Sequence, residues 1–279
     1  MNIAVIGTGT LGPGITQVFI QSDITDRVFL CKGRKESVRD GRQSIIDAYG
    51  KMLQRGRITR EDVERFLGKV ETGDLELSSK ADFLIEAVSE DLTVKQTIFR
   101  RLDSICRPDC IFATNTSSLP IRSIGEGLSR PLIGMHFFNP APVMKLVEVI
   151  ITDQTPREIA DRVMQLARDI GKRPVEVRES PGFIVNRVLI PMINEAIGIY
   201  AEGVSSVEDI DTALKLGANL PMGPLELGDL IGLDIVLAIL NVMLKETGDV
   251  RYLPQAILKK MVREGKLGRK TGIGFYKYS

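Results

Sequence analysis

The sequence predicts an α/β fold, a doubly wound sheet wrapped by helices, followed by a separate all-helical domain. Three observations carry that prediction. Short β-branched runs alternate with longer stretches of 3.6-residue period through the first half of the chain. Several of those runs are apolar on both faces, as strands covered by helices on each side must be. From Pro181 onward only helical periodicity remains.

The strands expected in order are NIAVIG (2–7), RVFLC (27–31), FLIEAV (83–88), CIFATN (110–115), LIGMHF (132–137) and KLVEVI (145–150). Between the second and third lies a charged helical insert, about 35–68, broken at Gly56. A helix over TDQTPREIADRVMQLARDIG, with a Thr/Pro start and a Gly171 stop, precedes one more short strand in KRPVEVRE. The ESPG turn at 179–182 marks the boundary between a domain of residues 1–180 and a helical one of 181–279.

A chain of 279 residues with 43% hydrophobic content can bury one large core or two modest ones. Its 37 Lys and Arg against 36 Asp and Glu leave no bulk field to attract nucleic acid or an anionic membrane. No 18-residue apolar run predicts a membrane span, and a strand pattern starting at Asn2 without a leader makes the cytoplasm the expected location. Three cysteines and one histidine do not complete a zinc site, so Cys106 and Cys110 read as packing residues and no metal is expected.

IAVIGTGTLGPG sets Gly7, Gly9 and Gly12 in the G-x-G-x-x-G register between a strand and a helix. Gly7 allows the tight turn, Gly9 lets backbone approach a pyrophosphate, and Gly12 lets helix and strand pack closely, with Thr10 and Leu11 in the loop between them. The sheet is therefore Rossmann-type. An acid for the adenosine ribose belongs at the end of the second strand, yet the chain there reads Lys32, Gly33, Arg34, Lys35. Cations in that place suit a 2′-phosphate, so NADP(H) is favoured over NAD(H). The alternative leaves a solvated basic loop, with Glu36 serving the ribose.

Hydride transfer leaves a proton to manage, and imidazole suits that task near neutral pH. The only histidine, His136, falls at the end of a strand, where open α/β sheets gather ligand groups. A hairpin-like return through NPAPVM could bring Glu148 back to the ring, where a carboxylate would fix the tautomer and stabilise the imidazolium. Ser117, just beyond the CIFATN strand, and Asn186, at the start of the helical domain, could each donate to an oxygen gaining negative charge. Each has a plainer reading too: a helix cap, a surface glutamate, a turn-flanking asparagine.

IGTGTLGPGI, ATNTSSL, GMHFFNPAPVMKLVEVI, ESPGFIVNRVLIPMINEA, DIDTALKLGANLPMGPLELGDLIGLD and GRKTGIGFYKY together resemble the 3-hydroxyacyl-CoA dehydrogenases, most closely the short-chain bacterial group acting on 3-hydroxybutyryl-CoA. The resemblance runs end to end. It implies that His136 is the acid/base histidine, Glu148 its carboxylate partner, and Ser117 and Asn186 the substrate-oxygen ligands. It implies that Glu90, Lys95, Asn115, Asn139 and Lys270 line the nicotinamide half of the cofactor or its phosphates. Lys51 and Arg55, four apart in YGKMLQRG, resemble the family's cationic contacts to coenzyme A. Members ordinarily carry Asp where this chain has Lys32, which departs from their usual NAD preference.

The expected reaction is the interconversion of (S)-3-hydroxybutyryl-CoA and acetoacetyl-CoA. Two rivals stand beside it: a non-catalytic nucleotide-binding homologue, and a dehydrogenase of free 3-hydroxy acids, which would not need Lys51 and Arg55. IPMINEAIGIY and LELGDLIGLDIVLAILNVML carry more apolar surface than one helix face needs, so a homodimer through the C-terminal helices is expected.

Overall fold

Apolar strands cross the first part of the chain as β1 (Asn2–Ile6), β2 (Arg27–Cys31), β3 (Val70–Gly73), β4 (Phe83–Glu86), β5 (Ile111–Thr114), β6 (Leu132–Phe137), β7 (Leu146–Ile151) and β8 (Arg173–Arg178). They form one sheet in the order β3-β2-β1-β4-β5-β6-β7-β8 in a computed structural model that describes residues 1–33 and 40–278. Arg34 and Glu36 lie outside the described residues. Strands β1 to β6 run parallel. β7 turns back antiparallel to β6, and β8 follows β7. The order reverses between β2-β1 and β4, which in open α/β sheets makes the crevice where ligands bind.

β3 was not among the expected strands. Its sequence VETG carries one apolar residue, and it forms an edge pairing with β2 alone, so neither hydrophobic runs nor alternation mark it. The other strands fall within a residue or two of expectation.

Helices α1 (Gly12–Ile20), α2 (Gly41–Gln54), α3 (Arg60–Gly68), α4 (Leu92–Ile105), α5 (Ile121–Ile124) and α6 (Arg157–Asp169) connect the strands. The starts of α2 and α3 are written in polar side chains. Asp40 accepts from the amides of Arg42 and Gln43, and Thr59 with Asp62 closes a capping box. Gly56, at φ +64°, makes the break between them. Ile3, Val5, Ile15, Phe19, Leu30, Ile85, Met135 and Val149 are buried at the centre of this unit, Met1–Glu179.

The second unit, Ser180–Ser279, consists of α7 (Val185–Ala201), α8 (Val207–Gly217), α9 (Pro224–Ile231), α10 (Leu233–Thr247) and α11 (Ala256–Arg263) around Ile190, Ile193, Ile197, Leu225, Val236, Leu240 and Met243. The apolar stretch from Pro224 to Thr247 is broken at Gly232, whose φ of +105° no helix accepts. Among the described residues no single helix is long and apolar enough to cross a membrane.

Helical periodicity ends before the tail. Residues 268–278 fold back in short bridges instead, held by the buried carboxylate of Asp229, which accepts from the amides of Phe275 and Tyr276 at 3.0 and 2.9 Å and from the Tyr278 hydroxyl at 3.0 Å. Asp211 does similar work at the start of α9, accepting from the amides of Leu225 and Glu226 and from the Tyr276 hydroxyl.

Candidate active site

The glycine loop leaves β1 at the reversal of strand order. Gly7 sits at φ +125°, and a Cβ there would stand 2.5 Å from the Ala87 carbonyl oxygen. A Cβ on Gly12 would stand 1.8 Å from the Gly7 oxygen, so α1 packs against the loop only because Gly12 has no side chain. A Cβ on Gly9 would meet nothing within 4 Å, which leaves room above the backbone for a ligand. Thr10 is exposed, and Leu11 precedes α1 without capping it through its side chain. This is the cradle a pyrophosphate fits. Lys32 is exposed at the end of β2, where its amide bonds the Gly73 carbonyl at 3.0 Å.

Three strands along the sheet from β1, the antiparallel register of β6 and β7 sets His136 directly opposite Glu148. Nδ1 of the imidazole lies 2.8 Å from Oε2 of the carboxylate, with the His side chain 5% and the Glu side chain 1% exposed. Burial of a carboxylate is tolerable only with such a partner. With Nδ1–H donating to Glu148, the Nε2 lone pair is the one able to take a proton. The Phe138 ring packs 4.5 Å from the imidazole, and Asn115 at the end of β5 accepts the Phe137 amide at 2.7 Å, tying the two strand ends together.

Ser117 follows β5 and is half-buried. It caps no helix, because α5 starts at Ile121 behind Pro120. Its amide donates to Glu90 Oε1 at 2.8 Å, which also receives the Ser118 amide and the hydroxyls of Thr116 and Ser118. Partial burial pushes the Glu90 carboxyl up, but the Lys95 ammonium and these hydrogen bonds outweigh it and hold the group below the ordinary glutamate range. Lys95 itself is wholly enclosed, bonded to Glu86 at 2.7 and 2.9 Å and 3.5 Å from Glu90.

The described residues therefore gather Asn115, Ser117, His136, Glu148, Glu90 and Lys95 at the ends of β4 to β7. Asn139 is exposed in the turn after β6, before a cis proline. Lys51 is exposed in the last turn of α2; Arg55 is not on a helix face but is the C-cap residue that follows it. Asn186 and Lys270 belong to the second unit: Asn186 is buried in the first turn of α7, and Lys270 pairs with Asp234 at 2.5 and 2.6 Å. Among the described residues no group of three or more His, Cys, Asp or Glu is arranged to hold a metal ion.

Three contributors escaped the sequence reading. Glu86 closes the buried pair with Lys95, and its signal was an acid inside an otherwise apolar strand. Thr116 also bonds the Leu119 amide, shaping the turn around Ser117. Lys172 is buried and donates to the carbonyls of Ala141 and Met144, at 2.5 and 2.9 Å, holding the turn between β6 and β7. Burial and the nearby Lys145 both push its ammonium pKa down.

Proton transfer at an imidazole beside a dinucleotide cradle is what oxidation of an alcohol by hydride removal requires, so the first unit defines a nicotinamide-dependent dehydrogenase. Residues 2–180 match the model of the 3-hydroxyacyl-CoA dehydrogenase NAD binding domain, and residues 182–278 that of the C-terminal domain of the same family. The 3-hydroxybutyryl-CoA dehydrogenase of Clostridioides difficile is 50% identical, with all of both chains covered. The human mitochondrial hydroxyacyl-coenzyme A dehydrogenase is 41% identical over 99% of this chain and 91% of its own. The crystal structure of (S)-3-hydroxybutyryl-CoA dehydrogenase PaaH1 from Ralstonia eutropha superposes with a TM-score of 0.92 at 38% identity, covering 100% of this chain and 99% of that one. The chain belongs to the 3-hydroxyacyl-CoA dehydrogenase family.

Proposed function

We propose that the protein interconverts (S)-3-hydroxybutyryl-CoA and acetoacetyl-CoA. The observation that carries the reading is the buried His136–Glu148 pair, at 2.8 Å, on neighbouring strand ends of a dinucleotide-binding sheet. Bound nicotinamide supplies the hydride acceptor or donor. Nε2 of His136 takes the C3 hydroxyl proton during oxidation and returns it during reduction, while Glu148 offsets the imidazolium charge. Ser117 donates to the C3 oxygen as negative charge gathers on it. Relatives named for 3-hydroxybutyryl-CoA support the short acyl chain.

NADP(H) is the proposed cofactor, with NAD(H) the alternative. Lys32, exposed where a ribose-binding acid would stand, supports it; Arg34 follows in sequence. Lys51 and Arg55 are the proposed contacts to coenzyme A phosphates. A homodimer through the helical unit is supported by exposed Val188, Leu216, Leu230 and Ile235. A cytoplasmic setting is supported by three buried free thiols.

The test follows nicotinamide absorbance with acetoacetyl-CoA, and with free acetoacetate as the competing substrate. Reduction of the thioester well above the free acid supports the reading, and equal rates would favour a free-acid dehydrogenase. His136→Gln is expected to lower kcat about 10²- to 10⁴-fold with the fold intact. Near-native turnover would remove the imidazole from the mechanism.

A further inference from the structure

The turn between β6 and β7 closes tightly on itself, with the amides of Val143 and Met144 both donating to the Pro140 carbonyl at 3.0 Å. A side chain from outside the turn completes it. The Lys172 ammonium takes the carbonyls of Ala141 and Met144, at 2.5 and 2.9 Å. Lys172 follows the Gly171 stop of α6 and immediately precedes β8, whose first residue, Arg173, donates its amide to the Lys145 carbonyl at 2.8 Å. Pairing of β8 with β7 thus delivers the lysine to the turn.

A cation is costly in this place. Lys172 is only 7% exposed, its neighbours include Lys145, and among the described residues it is held by carbonyls and by no carboxylate. Neutral acceptors offset the desolvation of a charge less well than an opposite charge does. An apolar side chain of the same shape would avoid that cost but could not hold the turn.

What the turn touches gives the reason for holding it. At its start, the Phe138 ring packs 4.5 Å from the imidazole of His136. Further on, Ala141 and Pro142 stand against the first turn of α1, where a Cβ on Gly14 would meet Ala141 Cβ at 3.5 Å and Pro142 Cδ at 3.4 Å. A few consecutive residues therefore rest both on the proton-carrying ring and on the helix that begins at the phosphate cradle.

We propose that Lys172 is a positioning residue for the reaction: by fixing the turn 140–144 it sets the spacing between the His136 imidazole and the start of α1, and so the alignment of proton transfer with hydride transfer. It acts through the turn, not by touching substrate or cofactor. The inference rests on the reading of His136 given above.

Lys172→Met keeps an unbranched side chain and removes the donor, whereas Pro142→Gly removes part of the contact with α1. Amide exchange over residues 138–145 is followed by mass spectrometry on the full chain, and kcat and KM for acetoacetyl-CoA are measured in each single variant and in the double one. Lys172→Met is expected to exchange faster over 138–145 and to lose about tenfold in kcat with KM little changed, because alignment is lost and binding is not. Pro142→Gly should lower kcat in the same way. The double variant should lose no more than the worse single one, as two changes to one element do. Native kcat in Lys172→Met overturns the proposal, as does a loss carried by KM or a double variant in which the two losses multiply. If Lys172→Met does not fold, Pro142→Gly decides alone, and native kcat there overturns the proposal. If the native protein itself fails to reduce acetoacetyl-CoA, the reading of His136 falls. The role of Lys172 is then judged by exchange, and native exchange over 138–145 in Lys172→Met overturns it.

Discussion

Glu90 in the first unit and Asp229 in the second are carboxylates of similar design with opposite electrostatic outcomes. Each accepts backbone amides and a hydroxyl, and each holds a segment in place, the Ser117 turn in one case and the C-terminal tail in the other. Glu90 is held below the ordinary glutamate range. Asp229 is pushed above the ordinary aspartate range, because burial outweighs its three hydrogen bonds and Asp211 adds a like charge. Hydrogen bonds are common to both; the neighbouring charge is not. Lys95 stands by Glu90 where Asp211 stands by Asp229. The carboxylate proposed to serve chemistry is kept ionised, whereas the one serving architecture tolerates a raised pKa out of solvent.

The sharpest way to break this contrast is to delete the architectural group. Asp229→Ala leaves two amides and a phenol without their acceptor and is expected to cost about 3 kcal/mol, read by urea unfolding. A loss near zero would mean the tail is not anchored there. Glu90→Gln should cost less stability than Asp229→Ala while lowering kcat with acetoacetyl-CoA about tenfold or somewhat more, through the loosened Ser117 turn. If instead Glu90→Gln unfolds the protein and Asp229→Ala spares it, the division between the two roles is wrong.

Acid and base should act on the two in opposite senses. Glu90, with a folded-state pKa below the ordinary 4.5, contributes stability present above that value and lost as pH falls through the depressed one. For Asp229, raised above the ordinary 3.8, the contribution is full below that value and is lost as pH rises through the elevated one. Unfolding midpoints measured against pH should therefore give native-minus-Gln and native-minus-Asn differences of opposite slope for Glu90→Gln and Asp229→Asn. Parallel slopes would refute the charge argument.

Lys32 extends the same rule to ligand choice, since a cation stands at the end of β2 where a carboxylate for the proposed ribose contact would otherwise fall. Lys32→Asp is expected to shift the NADPH-to-NADH ratio of kcat/KM about tenfold toward NADH, the effect of one charged hydrogen bond. No shift would leave the basic loop as solvated surface. The smallest effect belongs to exposed Lys51: Lys51→Ala should raise KM for acetoacetyl-CoA by less than about fivefold and less still at high salt.

The sequence was most legible where one physical rule acts alone. Short β-branched runs, several of them apolar on both faces, marked seven of the eight strands, and glycine spacing marked the cradle, because each is a local steric or hydrophobic demand. β3 escaped because an edge strand of VETG needs neither. The His136–Glu148 contact was reachable from sequence only through the supposition that NPAPVM turns the chain back; the register that makes the two residues face each other is a property of the paired strands. Glu86 was hidden by the run that holds it. An acid in FLIEAV could be an end-of-strand surface residue, and only the burial of Lys95, nine positions on, makes it a partner.

The pairing of β6 with β7 sets what can change between them. Residues added to or removed from the turn 138–145 leave the cross-strand match untouched so long as the ladder holds its alignment. A slip of β7 by a single position would turn Glu148 to the opposite side of the sheet and bring Val147 or Val149 against the imidazole. The loop can drift in length, but the ladder beneath it admits no odd step without parting the imidazole from its carboxylate and, with it, the proposed proton relay.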